Sequence, residues 1–304
     1  MKRYLSMNAS EIKATKGKNL IEAIKNSEGR ILVSENIVTL QPLLQSITNS
    51  ELACAFGADI LFLNLFDVEN PSINGMPNNI EKNNLIKELK EMTGRSIGVN
   101  LEPVDKNFFN KEQNEFWSIT NGRLATKNNA RKLCEMGVDF IVLTGNPGNG
   151  ISKTAIIDSI KEIKKELQDK IIIVAGKMHS AGVDEKIISE KEINDFAQAG
   201  ADVILIPAPG TVPGIDLCEA KKYIDQIHKL GKLALTAIGT SQEGSDEQTI
   251  KQIALYAKMA GADMHHIGDT GFPGLALPEN IKTYSIAIRG VRHTYLRMAS
   301  STKR

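Results

Sequence analysis

Cysteine is scarce in this sequence, and its spacing excludes several kinds of site. Among 304 residues there are 3 cysteines, Cys54, Cys134 and Cys218, and they form no C-x-x-C pair. This spacing indicates buried thiols in a reducing compartment rather than disulfides or a zinc site. The Walker and dinucleotide-binding glycine spacings and the H-E-x-x-H pair are also missing. No motif therefore supports ATP, NAD or the common zinc-protease site.

The sequence also lacks an excess of charge and a long apolar run. Its 37 Lys and Arg residues balance 36 Asp and Glu residues, giving a net charge of +1. Such a protein has no overall field that would recruit nucleic acid or an anionic membrane. No run approaches the roughly 20 apolar residues of a membrane span, and the start MKRYLSMNAS has no apolar signal segment. We therefore expect a cytoplasmic protein with no nucleic-acid or membrane partner.

What the sequence does contain is a repeat. Four times a glycine is followed two residues later by an aspartate, and an aliphatic run begins directly after it. The four aspartates are Asp59, Asp139, Asp202 and Asp263. Four other runs are entered by a basic residue instead, at Arg30, Arg95, Lys170 and Lys232. The two kinds alternate, mostly at intervals of about thirty residues with helix-like sequence between them, which is the pattern of a (β/α)8 TIM barrel. This α/β fold would place a ring of surface ion pairs between neighbouring strand starts.

Length and composition agree with a single barrel domain. The chain is long enough for about 250 barrel residues plus extensions, and its hydrophobic content of 41% can fill a large core. Residues 1–29 are predicted to form an N-terminal helical extension, which either plugs the N-terminal face or packs on the side. Residues 30–304 form the barrel and a C-terminal helix that begins at Pro278. The basic end of that helix indicates solvated charge or a subunit contact, which leaves a homo-oligomer open.

The alternation of side chains along each strand predicts which residues face the barrel interior. Counted from the first residue of each repeat, positions +2 and +4 are aliphatic and should pack under the helices, so odd positions face inward. Near the C-terminal strand ends these odd positions are polar: Glu35, Asn64, Asn100, Thr144, Glu102, Asn146 and Lys177. Burying such groups unpaired is costly, so either they satisfy one another or a polar ligand at the barrel mouth satisfies them, and we expect the ligand.

Acid–base residues are predicted at the same mouth. In the eighth strand the register sends His266 inward and His265 outward, and Asp269 follows two residues after that strand. Histidine titrates near neutral pH, so His266 or Asp269 could exchange a proton with Glu35 or Glu102. An inward Lys177 would neutralise an anion or form a Schiff base. These five residues are the predicted catalytic set.

Glycine-rich loops add predicted ligand contacts. Residues 144–150 and 268–274 can present backbone N–H groups to an anion, as can the loop that begins at Gly239. Glu243 and Asp246 in that last loop would repel phosphate unless they point away, and Asp246 could instead cap the next helix. The predicted ligand-binding residues are Asn64, Asn100, Thr144, Asn146, Gly148, His179, Gly239 and Gly271.

A divalent metal is a further hypothesis. Oxygen and nitrogen ligands that suit Mg²⁺, Mn²⁺ or Zn²⁺ are available near the predicted mouth, although they show no compact ligand spacing. They are Glu35, Asp67, Glu102, His179, His266 and Asp269. A metal-dependent hydrolase is therefore one alternative function, and a non-catalytic metabolite-binding barrel is another.

Three segments resemble a known group of proteins. Residues 144–150 (TGNPGNG), 265–271 (HHIGDTG) and 278–295 are similar to those of uncharacterised bacterial TIM-barrel proteins, over most of the chain. Members of that group are sometimes labelled haloacid-dehalogenase-like hydrolases or phosphonomutase-like enzymes. The D-x-D-x-T/V motif of the first label is absent, and so is the catalytic-loop cysteine motif of the second. The resemblance implies the fold, and the residues themselves predict a lyase or isomerase acting on a small anionic, phosphorylated metabolite.

Overall fold

Eight parallel strands close into a barrel in sequence order, which confirms the predicted (β/α)8 fold. The computed structural model describes residues 2–105, 108, 119–179, 187–271 and 273–304. Strand β8 pairs with β1 and so completes the ring. The strands are β1 (Ile31–Ile37), β2 (Ile60–Asn64), β3 (Ser96–Leu101), β4 (Phe140–Leu143), β5 (Ile172–Gly176), β6 (Val203–Pro207), β7 (Leu233–Ile238) and β8 (Met264–Ile267).

Helices follow the strands, and most begin at a side chain that accepts a backbone N–H. Thr48, Ser152 and Asp216 cap three of them in this way, which satisfies donors that a helix start leaves free. None of the described helices is long and apolar enough to cross a membrane. The helices are α1 (Ala9–Ala14), α2 (Gly17–Lys25), α3 (Asn49–Ala55), α4 (Leu85–Thr93), α5 (Lys127–Glu135), α6 (Lys153–Leu167), α7 (Glu190–Ala199), α8 (Leu217–Lys229), α9 (Glu247–Ala260) and α10 (Pro278–Met298), with α10 broken at Gly290.

The N-terminal segment plugs the N-terminal end of the barrel. Tyr4, Leu20 and Ile24 are fully buried, and they belong to the same apolar cluster as the inward-facing strand residues. The Tyr4 hydroxyl donates to the carbonyl oxygen of Asp59 at 2.8 Å. Of the two arrangements that the sequence left open, plugging is therefore the one observed. The C-terminal end of the barrel, where the site is predicted, lies opposite this plug.

Strand register follows the prediction in β1 to β4 and fails in β5. The aliphatic residues at +2 and +4 of β1 to β4 pack in the outer layer under the helices, as predicted. In β5, Ile172 and Val174 line the interior, and Ile173 packs outside. The reason is that the repeat in β5 counts from Ile171 rather than from Lys170. Asp202 accepts the N–H of Ile173 at 3.0 Å, two residues after Ile171. Everything after this point in β5 faces the opposite side from the one predicted.

The four repeated aspartates have a shared structural role. Each carboxylate accepts an N–H from the strand before it: Asp59 from Leu32 at 2.8 Å, Asp139 from Ile97 at 2.8 Å, Asp202 from Ile173 at 3.0 Å and Asp263 from Ala234 at 2.8 Å. The predicted ring of surface ion pairs is wrong, because the cations that pair with them come from other parts of the chain. Those cations are Arg289 and Arg297, Lys16 and Lys90, Lys164, and His228.

The basic end of α10 is partly buried, contrary to the expectation of solvated charge. Arg289 and Arg297 are 6% and 3% exposed and both form ion pairs with Asp59, which is fully buried. Arg297 also donates to the carbonyl oxygen of Tyr4 at 3.1 Å. These contacts attach the C-terminal helix to the plugged end of the barrel, far from the mouth.

Candidate functional site

A buried glutamate–histidine pair faces the mouth between β1 and β8. His266 Nε2 lies 2.8 Å from Glu35 Oε2, and both residues are buried. His266 pairs in register with Val33, which lines the interior, and its ring lies 6.1 Å from that of Phe62. The predicted inward orientation of His266 is thus confirmed. Its second ring nitrogen, Nδ1, is buried, and among the described residues it has no hydrogen-bond partner.

The neighbouring histidine is structural. His265 points outward, as predicted, with its Nε2 2.9 Å from the carbonyl oxygen of Gly29 and its Nδ1 3.2 Å from the Tyr284 hydroxyl. Burial lowers the pKa of His265 to about 4. The imidazole is therefore neutral at pH 7, so Nε2–H donates to Gly29 and Nδ1 accepts from Tyr284.

Two further carboxylates surround the pair. Asp269 is partly exposed, and burial together with the charge of Glu35 raises its pKa to about 7. Glu243 is buried, and burial raises its pKa as well. The charges of Glu35 and His266 act on both carboxyls, which shows that the four groups share one electrostatic environment. We call Glu35, Glu243, His266 and Asp269 the acidic cluster.

The glycine-rich loops bind these carboxylates themselves. The Thr270 N–H donates to Glu243 at 2.9 Å, and the Gly271 N–H donates to Asp269 at 2.7 Å. In the loop after β4, the Gly148 N–H donates to the Asn146 side chain at 2.8 Å. Three N–H groups predicted to meet an anion are thus already paired within the protein. From the sequence, Glu243 was expected only to repel phosphate, and it was not predicted as a site residue.

A second carboxylate site lies at the end of β3. Glu102 is buried and forms an ion pair with Arg123 at 2.7 Å, while its other oxygen, Oε2, has no hydrogen-bond partner. Burial raises the pKa of Glu102, and the Arg123 charge opposes that shift. Among the described residues no ion pair or hydrogen bond joins Glu102 to the acidic cluster. Arg123 was not predicted, because it stands outside the strand register in the connection to α5.

Lys177 does not face the interior as its predicted register required. It is 4% exposed, and its Nζ lies 3.8 Å from Glu192 Oε1 in the first turn of α7. The cause is the one-residue error in β5, which turns position 177 toward the helix layer. The sequence placed its ammonium in the mouth near Glu102 and Asn146 on the basis of that register, and the observed register does not support this position. Glu192 is a partner that the sequence pattern did not indicate.

The remaining predicted ligand-binding residues are spread around the mouth. The Asn64 side-chain oxygen accepts the Leu65 N–H at 2.9 Å, and Asn100, with its amide nitrogen toward β4, donates to the Val142 carbonyl at 3.0 Å. Thr144 is buried just after β4, and His179 is partly buried after β5, where burial lowers its pKa. Gly239 lies against Met178. Their ligand-binding roles stay predictions.

The described residues contain no group of three or more His, Cys, Asp or Glu side chains arranged to hold a metal ion. Asp67, one of the predicted ligands, instead accepts the Thr120 hydroxyl and the N–H groups of Glu69 and Asn70. Asp246 caps α9 by accepting the Gln248 and Thr249 N–H groups, in agreement with the capping alternative. A divalent metal at the mouth stays a hypothesis.

Replacing Asp269 with asparagine is expected to stabilise the protein at pH 8 and not at acid pH. The folded carboxyl keeps its proton up to about pH 7, whereas the unfolded one loses it near its ordinary pKa of 3.8. Wild-type stability therefore falls as pH rises through that window, and the variant avoids the loss. We expect a gain of about 1–2 kcal/mol at pH 8, allowing for partial exposure. Guanidinium denaturation at pH 5 and pH 8 measures it, and a pH-independent difference would contradict a proton held on Asp269.

The comparisons with known proteins support the fold and a family. Over 89% of this chain and 99% of the other, the structure resembles an archaeal fructose 1,6-bisphosphate aldolase with 13% identity and a TM-score of 0.55. It also matches a thiamine phosphate pyrophosphorylase from Pyrococcus furiosus with 12% identity and a TM-score of 0.48, covering 86% of this chain and 96% of that one. No curated protein matches. Residues 5–304 match the family described as Domain of unknown function (DUF7916), and the chain therefore belongs to that family.

Proposed function

We propose that this protein is an acid–base enzyme of the lyase or isomerase class, which moves a proton on a carbon next to a carbonyl group. The observation that carries the proposal is the buried Glu35–His266 pair, 2.8 Å apart, beside an Asp269 whose pKa is raised to about 7. A histidine held by a carboxylate inside a barrel, beside an acid of raised pKa, is suited to general acid–base catalysis.

His266 is the proposed base. Glu35 accepts a hydrogen bond from Nε2, which fixes the ring and stabilises the imidazolium that forms when Nδ1 takes up a proton. Nδ1 is the ring nitrogen with no hydrogen-bond partner, so it is the one free to accept the substrate proton. Glu35 thereby acts through His266 as a positioning residue.

Asp269 is the proposed acid. Because its pKa is raised to about 7, it keeps a proton at pH values where an ordinary aspartate has lost it, and it can donate to a carbonyl oxygen as that oxygen gains charge. Asp269 is also partly exposed, unlike Glu35 and His266. This exposure lets it exchange its proton with water between turnovers.

The anionic character of the substrate is proposed from the sequence. An anion would avoid the acidic cluster, so it would bind on the side of the mouth where Arg123 stands beside Glu102. The aldolase that shares this fold is, by its name, a lyase for a phosphorylated sugar. That likeness concerns the fold, and it is in keeping with lyase chemistry on this barrel.

Deuterium incorporation tests the reaction class even while the product is unidentified. The protein is incubated in D2O with a panel of phosphorylated and unphosphorylated carbonyl metabolites, and mass spectrometry detects deuterium on carbon. We expect one metabolite to gain deuterium, and Glu35→Gln to slow that gain by about 100-fold or more. Glu247→Gln is the control, since that side chain is 58% exposed on α9. No incorporation across the panel, or an unchanged rate in Glu35→Gln, would refute the proposal.

A further inference from the structure

We propose that the acidic cluster binds a positively charged amino group of the substrate. The inference rests on the proposed function, because the amino group would belong to the molecule whose proton His266 removes. It assigns a chemical class to the part of the substrate that contacts Glu35 and Glu243, leaves Asp269 as the acid, and places the anionic part elsewhere in the mouth.

The charge of the cluster is the first argument. The cluster holds three carboxyl groups and a single imidazole, and burial raises the pKa of Glu243, so a bound cation would stabilise the charged form of that carboxylate. In the described part of the chain, no lysine or arginine forms an ion pair with Glu35, Glu243 or Asp269. Buried charges in proteins are ordinarily paired. A cation brought by the substrate would supply the missing partner.

An unpaired oxygen is the second argument. Glu243 Oε1 accepts the Thr270 N–H, but Glu243 Oε2 is buried and accepts no hydrogen bond from the part of the chain that the structure describes. Glu243 is 3% exposed, so its unpaired oxygen carries the cost of a buried polar atom unless a ligand reaches it. An ammonium group carries three donors and no acceptor, which matches a surface made of carboxylate oxygens.

The same contacts disfavour a phosphate at this position. A phosphate in the loop after β8 would need the N–H groups of Thr270 and Gly271, and these donate to Glu243 and Asp269. The two carboxylates thus take the place that an anionic ligand would take. Glu243 also approaches Gly268 so closely that a Cβ there would lie 3.0 Å from Oε1. This packing fixes the Glu243 carboxylate against the β8 loop.

Two small molecules of similar size test the charge preference. Ethanolamine carries an ammonium group at pH 7.5, and ethylene glycol carries a hydroxyl group in its place. We expect ethanolamine to raise the Tm of the full-length protein in a saturable way, beyond potassium chloride at equal ionic strength, and ethylene glycol to have no such effect. Glu243→Gln should weaken the apparent affinity for ethanolamine by about tenfold or more. Glu247→Gln should leave it unchanged.

Several results would overturn the inference. They are an ethanolamine response equal to that of potassium chloride or ethylene glycol, a response retained in Glu243→Gln, and a Glu243-dependent response to Mg²⁺ or inorganic phosphate instead. If Glu243→Gln does not fold, Glu35→Gln takes its place with the same expected weakening. Deuterium incorporation into a substrate without an amino group would refute this inference while supporting the proposed function. Ethanolamine binding without deuterium incorporation into any metabolite would support this inference and refute the proposed function.

Discussion

Replacing Asp59 with asparagine is expected to lower the free energy of unfolding by about 3–5 kcal/mol, because it leaves two buried guanidinium groups without a counter-charge. Asp59 is fully buried, forms ion pairs with Arg289 and Arg297, and accepts the Leu32 N–H at 2.8 Å. Asparagine can still accept the N–H, so most of the loss comes from the arginines. Guanidinium denaturation followed by circular dichroism at pH 7 measures the change.

Asp263→Asn is the matched control for this prediction. Asp263 occupies the same position in the repeat and accepts the Ala234 N–H at 2.8 Å, but its charged partner is His228, whose side chain is 40% exposed. An exposed pair of this kind contributes about 0–1 kcal/mol, so we expect a loss of that size. Equal losses in the two variants would show that the ion pairs of Asp59 with the two arginines do not carry the stability.

The barrel could be predicted because its signals are local and repeated. Glycine before aspartate marks where a helix ends and a strand begins, and the aliphatic alternation of β1 to β4 fixes their inner and outer faces. The register of β5 was predicted wrongly because Ile171, Ile172 and Ile173 show no alternation of polar and apolar residues. Lys170 also resembles the basic residue that precedes the other odd-numbered strands. A slip of one residue exchanges the faces, which is why the position predicted for Lys177 was wrong.

The site was predictable where strands carry it or where a residue follows a strand closely, as Asp269 follows β8. Glu35 and His266 lie in β1 and β8, so register alone placed them inside the barrel. The position of Glu243 depends on the loop after β7, in which Thr240 and Ser241 adopt positive φ angles of 63° and 67°. These are not glycines, so no local signal in the chain marks the turn that brings Glu243 to Thr270. The pairing of Asp59 with Arg289 likewise joins residues 230 positions apart.

Replacing His266 with glutamine is expected to slow deuterium incorporation by about 10²–10⁴-fold, the usual contribution of a general base. The glutamine amide can still donate to Glu35, but it has no nitrogen that takes up a proton at neutral pH. The neighbouring His265→Gln provides the comparison, because His265 lies outside the barrel interior and contacts only Gly29 and Tyr284 through its ring nitrogens. That variant should lose stability while its folded fraction keeps the wild-type rate. Loss of the rate in both variants at equal folded protein would assign His266 to structure and leave the proposed reaction without its base.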